Sequence, residues 1–203
     1  PEIMRANLAE VILRMIALKL GDIEEFPFID RPDPKSINDG FNLLVELGAI
    51  KRIQKTEAGG QKTKSTGRIA AGGGQKAKSH GQFVLTDLGR VMAKIPLDPR
   101  LSRMLIEADA LGCLDEIAVI ASALSIQDPR ERPAEKTREA DGMHAAFDDP
   151  RSDFITLLNI WNRYHFTWKR VKTNNQVKKY CRTNFLSYKR MREWRDIYRQ
   201  ICA

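Results

Sequence analysis

Between Arg163 and Ala203 the chain carries twelve Lys or Arg against two acids, Glu193 and Asp196, with aromatic side chains threaded among the cations. Such a strip has the chemistry to hold a polyphosphate chain. Each neutralised phosphate releases condensed counterions, and each ring offers a stacking surface to an unpaired base. Lys178, Lys179, Arg182, Thr183 and Asn184 fall where one expected helix ends and the next begins. Two readings of that junction stay open. Exposed amides, an Asn side chain and three cations converge on a phosphate or base, or the segment is a helix junction with solvated cations and an N-capping Asn. Farther on, Lys189, Arg190, Arg192, Arg195 and Arg199 form a polar helix side, while Phe185, Tyr188, Met191, Trp194 and Tyr198 recur at helical intervals. That spacing favours core over stacking platform, and Trp161 and Trp168, in a segment with Phe154, Leu157, Leu158 and Ile160, read the same way.

The charge is concentrated. Of a total of +8, residues 163–203 contribute +10 and residues 51–81 contribute +7, which leaves −9 for the remainder. No apolar run has the length needed to cross a bilayer, and Pro1-Glu2-Ile3-Met4-Arg5 has no secretory pattern, so a cytoplasmic piece of a longer protein with no membrane partner is expected. Cys113, Cys181 and Cys202 form no close pair, which fits ordinary thiols in a reducing compartment. His80, His144 and His165 are as scattered and have no partner at zinc spacing, so no metal site is expected.

Catalytic motifs are not recognised. Gly72-Gly73-Gly74-Gln75-Lys76-Ala77-Lys78-Ser79 approaches a phosphate-binding loop, but Ala77 stands where the second glycine belongs and no hydrophobic strand precedes it. Asp115-Glu116 resembles a magnesium-holding pair, yet it opens a helix, where acids complement the backbone dipole. No Gly-x-Ser-x-Gly turn or His-Glu-x-x-His helix occurs, and no Cys has a nearby His. The chain is therefore read as having no catalytic residues and no cofactor of its own.

The elements that must position these residues are mainly helical. A long amphipathic helix is expected over 2–20, closed by Gly21; the Phe26-Pro27-Phe28-Ile29 stretch should tuck against it. Asp33 caps a second helix over 35–47 that buries Ile37, Phe41, Leu44, Val45 and Leu47 and stops at Gly48. Strands are expected at 49–54 and 82–86. Between them, Gly59-Gly60-Gln61-Lys62 and the residues after it recur almost verbatim from Gly73, making residues 56–82 a Gly/Lys-rich tip with nothing to anchor it. Thr86 caps a short helix over 87–93. Helices followed by a two-stranded wing describe a winged helix over 1–98. Its second helix presents Lys35, Ser36, Asn38, Asp39, Asn42 and Glu46, a face too acidic for DNA phosphate, so a scaffold role is favoured over base reading. An all-α bundle over 99–203 follows, with helices at 99–111, 114–124, a weaker one near 134–146, then 153–168, 176–181 and 185–201; Leu101, Met104, Leu105, Ala108 and Leu111 supply one face and Ile117, Val119, Ile120, Ala123 and Leu124 another.

In series, Pro1-Glu2-Ile3-Met4-Arg5-Ala6-Asn7-Leu8, Phe26-Pro27-Phe28-Ile29, Leu47-Gly48-Ala49-Ile50 and Leu85-Thr86-Asp87-Leu88-Gly89-Arg90 resemble the winged-helix region of DEAH-box RNA helicases. Pro96-Leu97-Asp98-Pro99-Arg100, Ile126-Gln127-Asp128-Pro129-Arg130-Glu131-Arg132-Pro133, Ser152-Asp153-Phe154 and Tyr180-Cys181-Arg182-Thr183-Asn184-Phe185-Leu186 resemble the helical ratchet domain, and the stretch from Ile126 to Pro133 with the Arg192-Glu193-Trp194-Arg195-Asp196-Ile197-Tyr198 ending is most similar to the bacterial HrpA type. The resemblance implies that ATP and Mg are bound by RecA-like domains outside this chain, and that an oligonucleotide-binding-fold domain is a further partner in the same parent protein. It implies that single-stranded RNA is threaded past the ratchet domain as one wall of a channel. Carried over, the RNA-facing residues are Arg130, Arg132, Ser152, Asp153, Arg182, Thr183 and Asn184, joined by Lys178 and Lys179 from the cationic junction. Two other functions are weighed beside it, a nucleic-acid-independent protein-interaction module and a winged-helix DNA-binding regulator.

Overall fold

A computed structural model describes residues 8–53, 83–171 and 173–203. The Gly/Lys-rich tip and the Pro1–Asn7 motif lie outside the described residues. The chain is mainly α-helical with one two-stranded antiparallel sheet, and it divides into two compact units, Pro1–Ala93 and Lys94–Ala203. The division falls earlier than the 98/99 boundary expected from sequence, because Ile95 and Leu97 already pack with Leu105, Ala118 and Ala121 of the second unit.

In the first unit the order is α1 (Leu8–Leu18), α2 (Pro34–Glu46), β1 (Ile50–Arg52), β2 (Phe83–Leu85) and α3 (Asp87–Met92). Helix α1 ends two residues before the expected stop, with Lys19 in the left-handed region at φ 55°. It lays Ala9 and Ile12 over Gly40 of α2, where an added Cβ would meet Ile12 Cδ1 at 2.7 Å. Asp33 caps α2 as expected, its carboxylate accepting the Ser36 amide at 2.9 Å, and Gly48 at φ 70° turns the chain into β1. The strands pair Ile50 with Leu85 and Arg52 with Phe83, and the Phe83 ring stacks on Phe41 at 4.7 Å. Thr86 then joins both edges. Its hydroxyl donates to Gly48 O at 2.6 Å and accepts the Gly89 amide at 2.9 Å.

Three apolar residues expected inside are exposed: Val45, Leu111 and Leu124. Each stands at or beside the last residue of its helix, where the apolar stripe runs past its partner. Ile29 is 99% exposed rather than tucked against α1; Ile23 is the buried residue of that linker.

The second unit contains α4 (Pro99–Leu111), α5 (Leu114–Leu124), a 3₁₀ turn at Ala134–Lys136, α6 (Thr137–His144), α7 (Asp153–Arg170), α8 (Asn174–Thr183) and α9 (Tyr188–Ile201). Gly112, at φ 72°, closes α4 by donating to Ala108 O and Asp109 O. Helix α5 is the most apolar of these by composition and lies in the middle, packed on α4, α7 and α9, while α8 packs on α7 and α9. Trp161, Tyr164, Met191 and Trp194 form the main core with Val119, Ile160, Val177 and Cys181. The indole of Trp194 donates to Val119 O and to the Ser122 hydroxyl, each at 3.0 Å, so a buried polar atom is satisfied and α9 is fixed in register on α5. All three Trp and all four Tyr of the chain belong to this unit.

Candidate nucleic-acid interface

The loop after α5 and the junction between α8 and α9 are about fifty-five residues apart in sequence, yet they are laced together. Arg130 and Leu186 form an isolated antiparallel bridge; the Glu131 amide donates to Phe185 O at 2.8 Å and the Ser187 amide to Pro129 O at 2.7 Å. The Arg190 guanidinium donates to Asp128 O at 2.8 Å and to Gln127 Oε1 at 2.7 Å. Buried His144, at the end of α6, donates from Nε2 to Phe185 O at 3.0 Å. Phe185 itself sits at φ 52°, a conformation that costs a bulky residue about 1 kcal/mol or more and persists because these bonds hold it.

This lacing fixes where the two helices of the junction end and begin. Asn184 is not an N-cap. It is the C-cap of α8, and its Nδ2 donates to Tyr180 O at 2.8 Å, while α9 begins only at Tyr188 rather than at 185. The amides of residues 184–187 are all spent on Tyr180 O, Cys181 O, Arg182 O and Pro129 O. The amides of this turn are thus engaged within the fold, and its outward-facing groups are side chains. Lys178, Lys179, Arg182 and Thr183 are exposed, with the Lys178 ammonium 5.4 Å from the Tyr188 ring centroid.

Arg130 and Arg132 are drawn to acids. The Arg130 guanidinium donates to both oxygens of Asp128, at 2.8 Å for its shortest contact, and lies 3.9 Å from Asp148. The hydrogen bonds it donates to Asp128 raise the Arg130 pKa, burial opposes, and the charges of Asp128, Asp148 and Asp153 add to the rise. Burial disfavours the Asp128 carboxylate, but the Arg130 side chain and amide and the charges of Arg130 and Arg132 outweigh it and keep its pKa below the usual carboxylate value. Arg132 pairs with Asp141 on α6 at 2.8 Å, an exposed contact of small energetic weight. Ser152 caps α7 by accepting the Phe154 amide at 3.2 Å, and Asp153 is exposed in the first turn. Thus Arg130 gathers Asp128, Asp148 and Asp153 beside the junction, whereas Arg132 is held by α6.

The rest of the basic strip is partly spent on the unit's own rings. The Arg195 and Arg199 guanidiniums lie 5.0 and 5.3 Å from the Trp168 ring, and Arg163 lies 5.1 Å from Phe147. Cys181, behind the junction, is buried, and burial followed by the Glu131 charge pushes its thiol up to about 12, so it is no nucleophile at neutral pH. Sequence reasoning overlooked a cleft between α7 and α8, lined by Asn162, Arg163, Phe166, Thr167, Tyr180 and Asn184. Its signal was present: Phe166 is about 160° around the helix from Tyr164, off the period that buries Trp161, Tyr164 and Trp168.

Among the described residues no helix is long and apolar enough to cross a membrane. The bundle with α5 at its centre carries a cation-bearing turn laced to a Pro-Arg loop, and residues 98–157 match the family described as helicase associated domain (HA2), ratchet-like. The chain is 47% identical over 201 residues, 99% of its length, to the ATP-dependent RNA helicase HrpA homolog of Haemophilus influenzae. It is 44% identical over the same share to the ATP-dependent RNA helicase HrpA of Escherichia coli, and 30% identical to the pre-mRNA-splicing factor ATP-dependent RNA helicase prp22 of Schizosaccharomyces pombe. The chain belongs to the helicase-associated, ratchet-containing family in its HrpA-type DEAH-box form. It spans 14% of the length of each of these relatives.

Proposed function

We propose that this chain is an accessory region of an ATP-dependent RNA helicase and forms part of the path taken by single-stranded RNA. The observation that carries the reading is the lacing of residues 129–131 to residues 185–187, which sets two motifs distant in sequence side by side in one rigid turn. Within it the roles divide. Lys178, Lys179, Arg182 and Thr183 take phosphates, as exposed cations and a hydroxyl do in sequence-blind binding. Arg130 is a positioning residue, because its charge is already matched by Asp128 and Asp148; Arg132, Ser152 and Asp153 act as loop and helix-end supports. Residues 1–93 serve as a winged-helix scaffold.

Asp115 and Glu116 are exposed in the first turn of α5, where they complement the helix dipole. By the family resemblance, nucleotide binding is assigned to RecA-like domains of the parent protein, to which this region couples.

The test is fluorescence anisotropy of labelled single-stranded RNA against the 203-residue chain over a salt series. With about three phosphates neutralised, log K falls against log salt with a slope of about −2. Arg182→Glu weakens binding and flattens the slope by about one unit or more. No binding at low salt overturns the proposal in favour of a protein-interaction module, and a marked preference for particular duplexes overturns it in favour of a DNA-binding regulator.

A further inference from the structure

Phe166 is 60% exposed, and among the described residues only it and Phe154 are exposed aromatic rings. Packing does not explain it, since Trp161 and Tyr164 of the same helix supply the buried face. The ring borders a cleft of about 480 Å³ between α7 and α8, whose other walls are Asn162, Arg163, Thr167, Tyr180 and Asn184. That size suits one small ligand, and two guanidiniums flank it. Arg163 lines the cleft, and Arg170, one turn beyond Phe166, holds its guanidinium 4.9 Å from the ring centroid. The walls are fixed from within. Asn184 commits Nδ2 to Tyr180 O at 2.8 Å, which leaves Oδ1 for another donor, and Tyr180 is hydrogen-bonded to the Thr167 side chain.

A largely exposed ring with one guanidinium stacked over it and a second lining the same cleft, beside an amide whose acceptor is uncommitted, has the parts to hold one unpaired base and its two phosphates. We propose that the cleft between α7 and α8 is a stacking subsite for a single unpaired nucleobase of RNA. Phe166 is the platform, Arg163 and Arg170 take the flanking phosphates, and the Asn184 amide oxygen faces the edge of the base. The ring accepts any base, so the subsite adds affinity without sequence preference. The assignment rests on the reading that this chain binds single-stranded RNA.

The probe is fluorescein-labelled oligouridine titrated with the 203-residue chain across a salt series, beside an abasic oligomer of the same length. Phe166→Ala weakens oligouridine binding about tenfold and leaves the salt slope unchanged, because the ring carries no charge. Phe166→Trp retains or improves affinity, and the abasic oligomer does not distinguish Phe166→Ala from the parent chain. Far-UV circular dichroism of Phe166→Ala matches the parent, since an exposed ring contributes little to the fold. Equal affinity of Phe166→Ala and parent chain for oligouridine overturns the subsite and leaves RNA binding elsewhere intact. Failure of the parent chain itself to bind at low salt overturns both.

Discussion

Replacing Gly89 with Ala tests the tightest approach found at a described glycine. An ideal Cβ at that position would lie 1.9 Å from Ala49 O and 2.8 Å from its carbonyl carbon, so the backbone of either α3 or β1 must withdraw. Two bonds meet at that carbonyl, from the Thr86 amide at 3.0 Å and the Thr86 hydroxyl at 3.1 Å, and a shift of about 1 Å breaks both. Each is worth about 1 kcal/mol, and overpacking adds about 2 kcal/mol. Against this, Ala gains about 1 kcal/mol over Gly in a helix. The net destabilisation is about 3 kcal/mol, roughly a hundredfold in a local opening constant. Hydrogen exchange followed by mass spectrometry on a peptide spanning 83–93 reads it directly, with amides that exchange through opening of this unit accelerated by about two orders of magnitude. Unchanged or slower exchange refutes the reasoning, since it would mean that the methyl fits and helix propensity alone is felt.

Trp194→Phe removes the donor to Val119 O and Ser122 Oγ and opens a void in the core, and it costs about 2–3 kcal/mol in urea denaturation followed by circular dichroism. A loss below about 1 kcal/mol would show that the indole is replaceable there. His165 stacks on Trp161 at 5.6 Å and lies 5.7 Å from Trp168; burial, then the charges of Lys169 and Arg199, hold its pKa below 6.5. The unfolded chain therefore takes up the proton first, so stability is full above the unfolded value of about 6.5 and declines as pH falls through it towards the lower folded value. His165→Gln flattens that segment of the stability curve, and an unaltered slope would remove His165 as its source.

Helix ends were the most legible part of the sequence, because caps are local chemistry: Asp33, Thr86, Gly112 and Ser152 each sit where their residue type alone places them. The ordered series of family motifs was equally legible and defined the fold class. The lacing of 129–131 to 185–187 was not, since a two-residue bridge leaves no periodic trace and depends on a left-handed Phe185 that no propensity favours. For the same reason Asn184 looked like the start of a helix and is the end of one. Arg130 and Asn184 were recognised as candidates, but the acids around Arg130 come from a loop and a helix start eighteen or more residues away as well as from Asp128, and that neighbourhood exists only after folding. Phe166 was passed over because its neighbours Trp161 and Trp168 are core, and one off-phase ring is easily absorbed into their pattern.

The confinement of every indole and phenol to residues 94–203 gives the molecule a one-sided optical character. Ultraviolet emission excited near the indole band originates wholly within the bundle, leaving the opening ninety-three residues dark. A quench or spectral displacement seen during titration with an oligonucleotide thus localises the event to the environment of Trp161, Trp168 or Trp194 without any label. A silent titration accompanied by genuine complex formation would point to the other half.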